Sequence, residues 1–541
     1  MAQQRRDELA AYTFARKRTV AAFLAPSPGG SEEGAPRPVR TVMPSLAVGV
    51  VLVIGFIAWG VIKPTAPKGW DTPGEYIIVD SDSTTRYVVL PDPGTKTKTL
   101  HPVLNYASAK LLLDKGKGSV IEVPGKEIDK SGIPHGATLG IPYAPDRLPS
   151  KDDAEKAKTW AVCERPAPGS SGSDGSENAI DRAVFVLDSD DAKVLNDDRK
   201  VDAREALYVA DSKTKQEYLV DAKGNKFLLG GESGLGDTTM ATLRAAVIGG
   251  SARPQPVSQE WLGTLNPGGV ITFPTVPSIG EETSVEGLPE NARTVGRVLK
   301  ANDAQGEQFY VVLKDKVARI TPFVANLLTN SPSAADAYGS DKIEAIEAQT
   351  PAIIAANGGQ PDNFYGDKGW PTVIPRQANP AATGTDEART TSCSVYDGKF
   401  GADKKPQLAA WAGATYPKKV IADSLSAYVS SGSGLLFQEI TGEAGGGGRQ
   451  YLLTDTGLRY SLPSNNDSEA ESAGKGSGSS SSSSSGDDPS SSADASETDK
   501  ARTRLGYEKV SNPAFVPQTW ATFIPKGPTL DTGSASQPQS Q

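Results

Sequence analysis

Pro44-Ser-Leu-Ala-Val-Gly-Val-Val-Leu-Val-Ile-Gly-Phe-Ile-Ala-Trp-Gly-Val-Ile62 carries no charged side chain, and none occurs between Arg40 and Lys63. At 1.5 Å of rise per residue, about 19 helical residues cross the roughly 30 Å hydrocarbon core of a bilayer. A helix buried in a soluble protein rarely runs this long without a charge. Residues 43–63 therefore read as one membrane span. Nearly all of the remaining chain follows it, so one side of a membrane would hold most of the protein.

Charge decides which side. Arg5, Arg6, Arg16, Lys17, Arg18, Arg37 and Arg40 precede the span, against Asp7, Glu8, Glu32 and Glu33. An excess of Lys and Arg before the span predicts a cytosolic tail, residues 1–40, and an external C-terminal part. A cleaved signal peptide is the competing reading. It fits less well, because the leader is long and no small-x-small cleavage site separates Ile62 from Lys63-Pro64. Within the tail, Leu9, Tyr12, Ala15 and Val20 interleave with Arg16, Lys17 and Arg18. That spacing predicts a helix over Asp7–Ala25 with one apolar face, packed on a partner or lying on anionic lipid.

Beyond the span, length allows two to four domains. The chain has 56 Gly, 40 Pro, 22% charged residues and only 7% aromatics, which suggests a loop-rich, strand-containing exterior. The net charge of −9 falls on that exterior. No basic stripe is present, so nucleic acid is excluded as a partner class. The two cysteines, Cys163 and Cys393, both lie on the external side, where disulfides persist. One intramolecular bridge is the economical reading, and two unrelated buried thiols the alternative.

Four segments share one order: an aromatic-led strand, a turn, a second strand, a helical stretch and an apolar close. They begin at Tyr87-Val-Val-Leu, Tyr218-Leu-Val-Asp, Tyr310-Val-Val-Leu and Tyr451-Leu-Leu-Thr. Leu100–Leu113 and Ile320–Leu328 have the i, i+3, i+4 spacing of a helix with one buried face. Tyr310 follows Tyr87 by 223 residues, Cys393 follows Cys163 by 230 and Tyr451 follows Tyr218 by 233. The near-constant offset suggests two related halves, each running repeat, cysteine, repeat. Residues 465–500 break the pattern. They are Ser, Gly and acid, and cannot bury enough apolar surface to offset ordering, so a disordered insertion is expected. Residues 26–39 and 531–541 read as disordered tails, and Gly169–Asn178 and Gly445–Gly448 as loops.

No catalytic constellation holds together. The two histidines, His101 and His135, lie in or near the first repeat with no nucleophile motif. They also lack the paired spacings of a zinc site with the cysteines. Gly116-Lys-Gly-Ser119 and Gly474-Lys-Gly-Ser477 lack the pattern of a phosphate loop. Asp188-Ser-Asp-Asp191 with Asp197-Asp198 lacks the glycine and terminal Glu of a calcium loop. No catalytic, cofactor or metal residue is assigned.

Several stretches, taken in order, carry a family resemblance. They are Tyr12-x-Phe14-x-Arg16-Lys17-Arg18, Leu100-x-Pro-x-Leu-Asn105-x-Ala-Ser-Ala109, Trp160-Ala-Val-Cys163, Ser392-Cys393, Tyr451-Leu-Leu-Thr-Asp-Thr-Gly457 and Pro525-Lys-Gly-Pro-Thr-Leu530. With one span and two cysteines, the chain resembles the EccB component of the type VII (ESX) secretion system of actinobacteria. The Ser-rich insertion departs from the compact family pattern. The resemblance implies an α+β protein: one span, then an elongated external domain of four α/β repeat lobes around a central β-rich domain, held by one Cys163–Cys393 disulfide. On that plan repeat 1 is 72–150, repeat 2 is 205–285, repeat 3 is 305–379 and repeat 4 is 448–530. The central domain takes 151–204, 286–304 and 380–440.

The resemblance further implies a single-pass scaffold subunit of the cytoplasmic membrane. Its partners would be an EccC-type ATPase, EccD, EccE, further EccB copies and membrane lipid. Tyr12, Phe14, Arg16, Lys17 and Arg18 are the partner-contact candidates. ATPase activity, described for some family members, is not carried over, because no nucleotide motif is present. The competing classes are a membrane-anchored envelope hydrolase or ATPase, and a cell-wall-binding repeat protein.

Overall fold

The sequence expectation of four hairpin-led segments meets a computed structural model that describes residues 2–24, 38–62, 66–92, 97–167, 180–197, 199–304, 306–356, 362–380, 388–420, 426–441, 448–463, 497–510 and 512–539. The chain divides into two compact units.

The smaller unit comprises Met1–Trp70, Asp80–Ser83 and Ile121–Gly132. It holds two long helices, Ala2–Leu24 and Pro38–Ile62. The second contains the uncharged run. Its described side chains, among them Leu46, Val51, Ile54 and Phe56, are all exposed. A helix apolar on every side and uncovered by protein is a poor solute for water. Among the described residues, no helix is long and apolar enough to cross a membrane. The described side chains of this helix cover 42–57 only, short of the full uncharged run.

The larger unit contains four small sheets built on one plan. In the second lobe, Glu205–Asp211, Glu217–Val220 and Asn225–Leu229 form an antiparallel meander. Helix Asp237–Val247 follows, and strand Gln255–Val257 returns parallel to the first strand. The third lobe repeats this with Val298–Asp303, Gly306–Val312 and Val317–Ile320, then helix Pro322–Thr329 and strand Ile346–Glu347. The fourth does so with Leu435–Ile440, Gln450–Leu453 and Arg459–Ser461, then helix Glu497–Arg504 and strand Ala514–Pro517. The first lobe shows the same meander, Tyr76–Asp80, Arg86–Pro91 and Lys98–Val103, followed by helix Tyr106–Leu112. The Asn105 side chain caps that helix by accepting from Ser108 N–H at 3.0 Å, as asparagine does at helix starts.

Between the lobes runs a five-stranded sheet in the order Pro406–Gly413, Thr391–Phe400, Thr159–Pro166, Ile180–Leu187, Ser426–Val429. Apolar side chains alternate across it, so each face has its own core. Trp160 and Val162 on one face pack with Val209 and Trp261 of the second lobe and Phe437 and Trp520 of the fourth. On the other face, Cys163, Cys393, Phe185, Trp411 and Tyr416 cluster. The lobes are also joined in pairs. Second and third share a core through Tyr208, Phe227, Leu243, Val298 and Phe323. First and fourth share one through Leu111, Leu436, Tyr460, Leu505 and Leu530.

Five sequence expectations need correction. Each lobe sheet begins one strand earlier than its aromatic-led strand. Val298–Asp303 and Leu435–Ile440, assigned above to the central domain, are therefore first strands of the third and fourth lobe sheets. The leading part of Leu100–Leu113 is strand, because Lys98–Val103 pairs with Arg86–Pro91 before the Asn105 cap starts the helix. The segment 531–541 is no disordered tail as far as 539. Helix Thr532–Ala535 buries Ala535 fully, and Gln539 Nε2 donates to Gly140 O at 2.6 Å. The proposed insertion 465–500 overlaps helix Glu497–Arg504, whose Ala501 is fully buried; residues 464–496 lie outside the described residues. The tail helix has no single apolar face, as the site geometry below makes explicit. Residues 26–37, Gly169–Asn178 and 445–447 also lie outside the described residues.

Candidate functional site

The partner-contact candidates Tyr12, Phe14, Arg16, Lys17 and Arg18 all lie on helix Ala2–Leu24 and are exposed. Tyr12 is 71% and Phe14 56% accessible. Successive helical residues are rotated by about 100°. Arg5 and Arg16 therefore project among Leu9, Tyr12, Val20 and Phe23, while Phe14 projects to the far side. Charge interrupts the stripe that a packed or membrane-lying helix would show. What the helix offers is a mixed surface of tyrosine, phenylalanine and arginine, and tyrosine and arginine are among the residue types enriched at protein-protein hot spots.

Cys163 and Cys393 are joined by a disulfide, with Cα atoms 4.0 Å apart. They lie directly opposite each other on adjacent antiparallel strands, and both are fully buried. The bridge therefore ties the two strands at the middle of the central sheet, joining residues at a sequence separation of 230.

The chemistry-bearing residues singled out from sequence that are described are used in the fold; Asp198 and Gly474-Lys-Gly-Ser477 lie outside the described residues. His135 pairs beside Leu100, its ring edge-on to Tyr87, while His101 Nδ1 lies 2.9 Å from Ala137 O. Gly116-Lys-Gly-Ser119 leads into strand Ser119–Val123, so no helix start lies there to receive a phosphate. In the acidic loop, Asp188 Oδ1 accepts from the amides of Asp190 and Asp191. Asp191 accepts from Lys418 Nζ at 2.6 Å, Ser430 Oγ at 2.6 Å and Tyr428 OH at 3.2 Å. The Lys418 hydrogen bond, with that of Ser430, holds the Asp191 carboxyl below the ordinary aspartate value. Asp197 is paired with Arg199. Among the described residues, no group of three or more His, Cys, Asp or Glu could hold a metal ion.

Sequence reading missed the contacts that hold the lobes to the central sheet. The sheet's Glu164 is fully buried and meets Arg182 and Ser258. Trp261 and Trp520 insert from matching short helices, Gln259–Leu262 and Gln518–Ala521. One signal was available: Val257-x-Gln-x-Trp261 recurs as Val516-x-Gln-x-Trp520. A charged residue beside the apolar run Trp160-Ala-Val-Cys163 was a second.

With this geometry in hand, comparison assigns the family. The family model described as "Type VII secretion system ESX-1, transport TM domain B" matches residues 2–540, and the chain belongs to that family. It is 29% identical over 317 residues to the ESX-1 secretion system ATPase EccB1 of Mycolicibacterium smegmatis, covering 58% of each chain. To the ESX-1 secretion system ATPase EccB1 of Mycobacterium tuberculosis it is 27% identical over 325 residues, covering 59% of this chain and 58% of that one. The alignments thus span under two thirds of these curated relatives. A chain in the structure of an intact ESX-5 inner membrane complex superposes with a TM-score of 0.56 at 19% identity, covering 99% of this chain and 95% of that one. At that identity the likeness is one of fold.

Proposed function

We propose that this protein is a scaffold subunit of a type VII secretion core complex in the cytoplasmic membrane, crossing it once and acting by assembly. The observation that carries this reading is the way the larger unit is joined. Of four lobes built on one plan, the second and fourth share a core with the central sheet, and the third and first are joined to them through shared cores of their own. Such a body offers several similar surfaces for neighbours at fixed spacing. The uncharged run from 41 to 62 supports the span, and the excess of Lys and Arg before it supports a cytosolic N-terminus. The partners on this reading are an EccC-type ATPase, EccD, EccE and further copies of this chain.

The tail helix is the cytosolic contact. Reversing charge at Arg16→Glu, Lys17→Glu and Arg18→Glu is expected to reduce co-purification with the ATPase and multi-span subunits while the external part stays folded. Normal assembly of that variant would reduce the tail to a topology signal.

A second reading is favoured by the word ATPase in the names of the similar proteins. Purified full chain in detergent would decide it. Nucleotide turnover abolished by one side-chain change would replace the scaffold reading with an enzymatic one.

A further inference from the structure

The second and fourth lobes dock on the same face of the central sheet by equivalent elements. Strand register makes the equivalence explicit. Val257 is aligned with Asp211 in one lobe, and Val516 with Glu439 in the other. Four residues on, Trp261 and Trp520 enter the same core. The central strands are related in the same manner about the Cys163–Cys393 pair, so that Glu164 on one strand corresponds to Ser394 on the other.

The two docks differ in chemistry. On the second-lobe side, Glu164 Oε1 accepts from Ser258 Oγ at 2.6 Å and Arg182 Nε at 2.7 Å, and Oε2 accepts from Ser258 N–H at 2.8 Å. Gln255 Nε2 donates to Glu164 O at 3.1 Å, and Gln255 Oε1 accepts from Ser392 Oγ at 2.7 Å. Asn379, fully buried, donates through Nδ2 to Gln255 Oε1 at 3.1 Å and accepts at Oδ1 from Tyr208 N–H at 2.8 Å. This chain of bonds runs from the central sheet into the first strand of the second-lobe sheet. On the fourth-lobe side, Ala514 and Pro517 stand where Gln255 and Ser258 stand, and Ser394 Oγ has no hydrogen-bond partner among the described residues.

We propose that Glu164 is a positioning residue that fixes the orientation of the second lobe against the central sheet, in a register held by the neighbouring disulfide. The fourth lobe docks through apolar contact and one bond from Tyr396 OH to Phe515 O at 2.8 Å, with no carboxylate at the position equivalent to Glu164, so docking does not require a buried charge. Desolvating a carboxylate costs several kcal/mol, and a well-packed apolar substitute is often as stable. What hydrogen-bond geometry adds over apolar contact is direction. Six polar side chains must meet at once, and a lobe that slides or rotates loses their bonds together. Arg182 completes the arrangement by holding the carboxylate while its guanidinium stacks on Phe523 of the fourth lobe, 5.1 Å from the ring centre.

The test is hydrogen-exchange mass spectrometry on the full chain in detergent, comparing wild type with Glu164→Leu, which leaves Ser258 Oγ as the cap that accepts from Trp261 N–H at 3.0 Å. Arg182 is left in place, with Glu260 at 3.5 Å as its remaining partner. The thermal midpoint is expected to hold, while amides of 205–211 and 255–262 exchange at least about tenfold faster and those of 435–440 and 514–520 do not change. Exchange that is unchanged in the second-lobe segments overturns the proposal. So does a fall in midpoint with faster exchange in both docks, since Glu164 would then be a general stabiliser. Should this variant fail to fold, Glu164→Gln, which keeps the side-chain shape and leaves the Ser258 cap of helix Gln259–Leu262 in place, is expected to speed exchange several-fold in the same second-lobe segments, and no change there overturns it equally.

Discussion

At the scale of the residue, the Cys163–Cys393 bridge has the clearest energetic consequence. It closes a loop of 230 residues between neighbouring central strands. Replacing either cysteine by serine is expected to cost about 2–5 kcal/mol, read from denaturant unfolding of the two variants. Asp191 gives a pH prediction. Its hydrogen bond from Lys418, with that from Ser430, holds its folded pKa below the ordinary aspartate value. The stabilisation is therefore present above the unfolded value and lost as pH falls through the lower folded one. Asp191→Asn should flatten the acid limb of a melting-temperature profile below about pH 4, relative to wild type. The pairing of the cysteines was legible from their number and their position after the uncharged run. The partners of Asp191 were not, because Lys418 and Ser430 lie more than 220 residues away in sequence.

At the scale of the element, aromatic-led strands and their turns were legible because hairpins are local. The strand before each was not. Tyr76–Asp80 and Leu435–Ile440 carry no turn signal of their own, and they become strands by pairing with the hairpin that follows. The C-terminal segment was misread for a related reason. Thr532–Ala535 is small and polar, and it is ordered by what it covers: Ala535 is buried in the core shared by first and fourth lobes, and Pro538 bridges to Leu139. Deleting 531–541 is expected to lower the melting temperature and to speed amide exchange in helix Tyr106–Leu112. An unchanged exchange pattern there would mean that the segment contributes nothing to lobe pairing. The tail helix shows the opposite error. Its apolar residues were read at helical spacing without Arg5, which projects among them.

At the scale of the whole molecule, order along the sequence predicted four similar modules but not their partnership. The offsets near 230 residues suggested two related halves, each running repeat, cysteine, repeat, and Cys163 and Cys393 do meet as opposite residues of the central sheet. Across those halves, the larger unit pairs the second lobe with the third and the first with the fourth in shared cores. Pattern in one dimension carries the plan of a module, whereas the surface it buries depends on long-range packing that periodicity does not encode. The proposal that this protein works by assembly is tested most directly by affinity purification of the full-length tagged chain from native membranes, with mass spectrometry of what accompanies it. The expected result is a stable membrane complex that contains a type VII secretion ATPase and multi-span subunits together with several copies of this chain. Recovery of the chain alone, intact and folded, from membranes in which those subunits are present would contradict it.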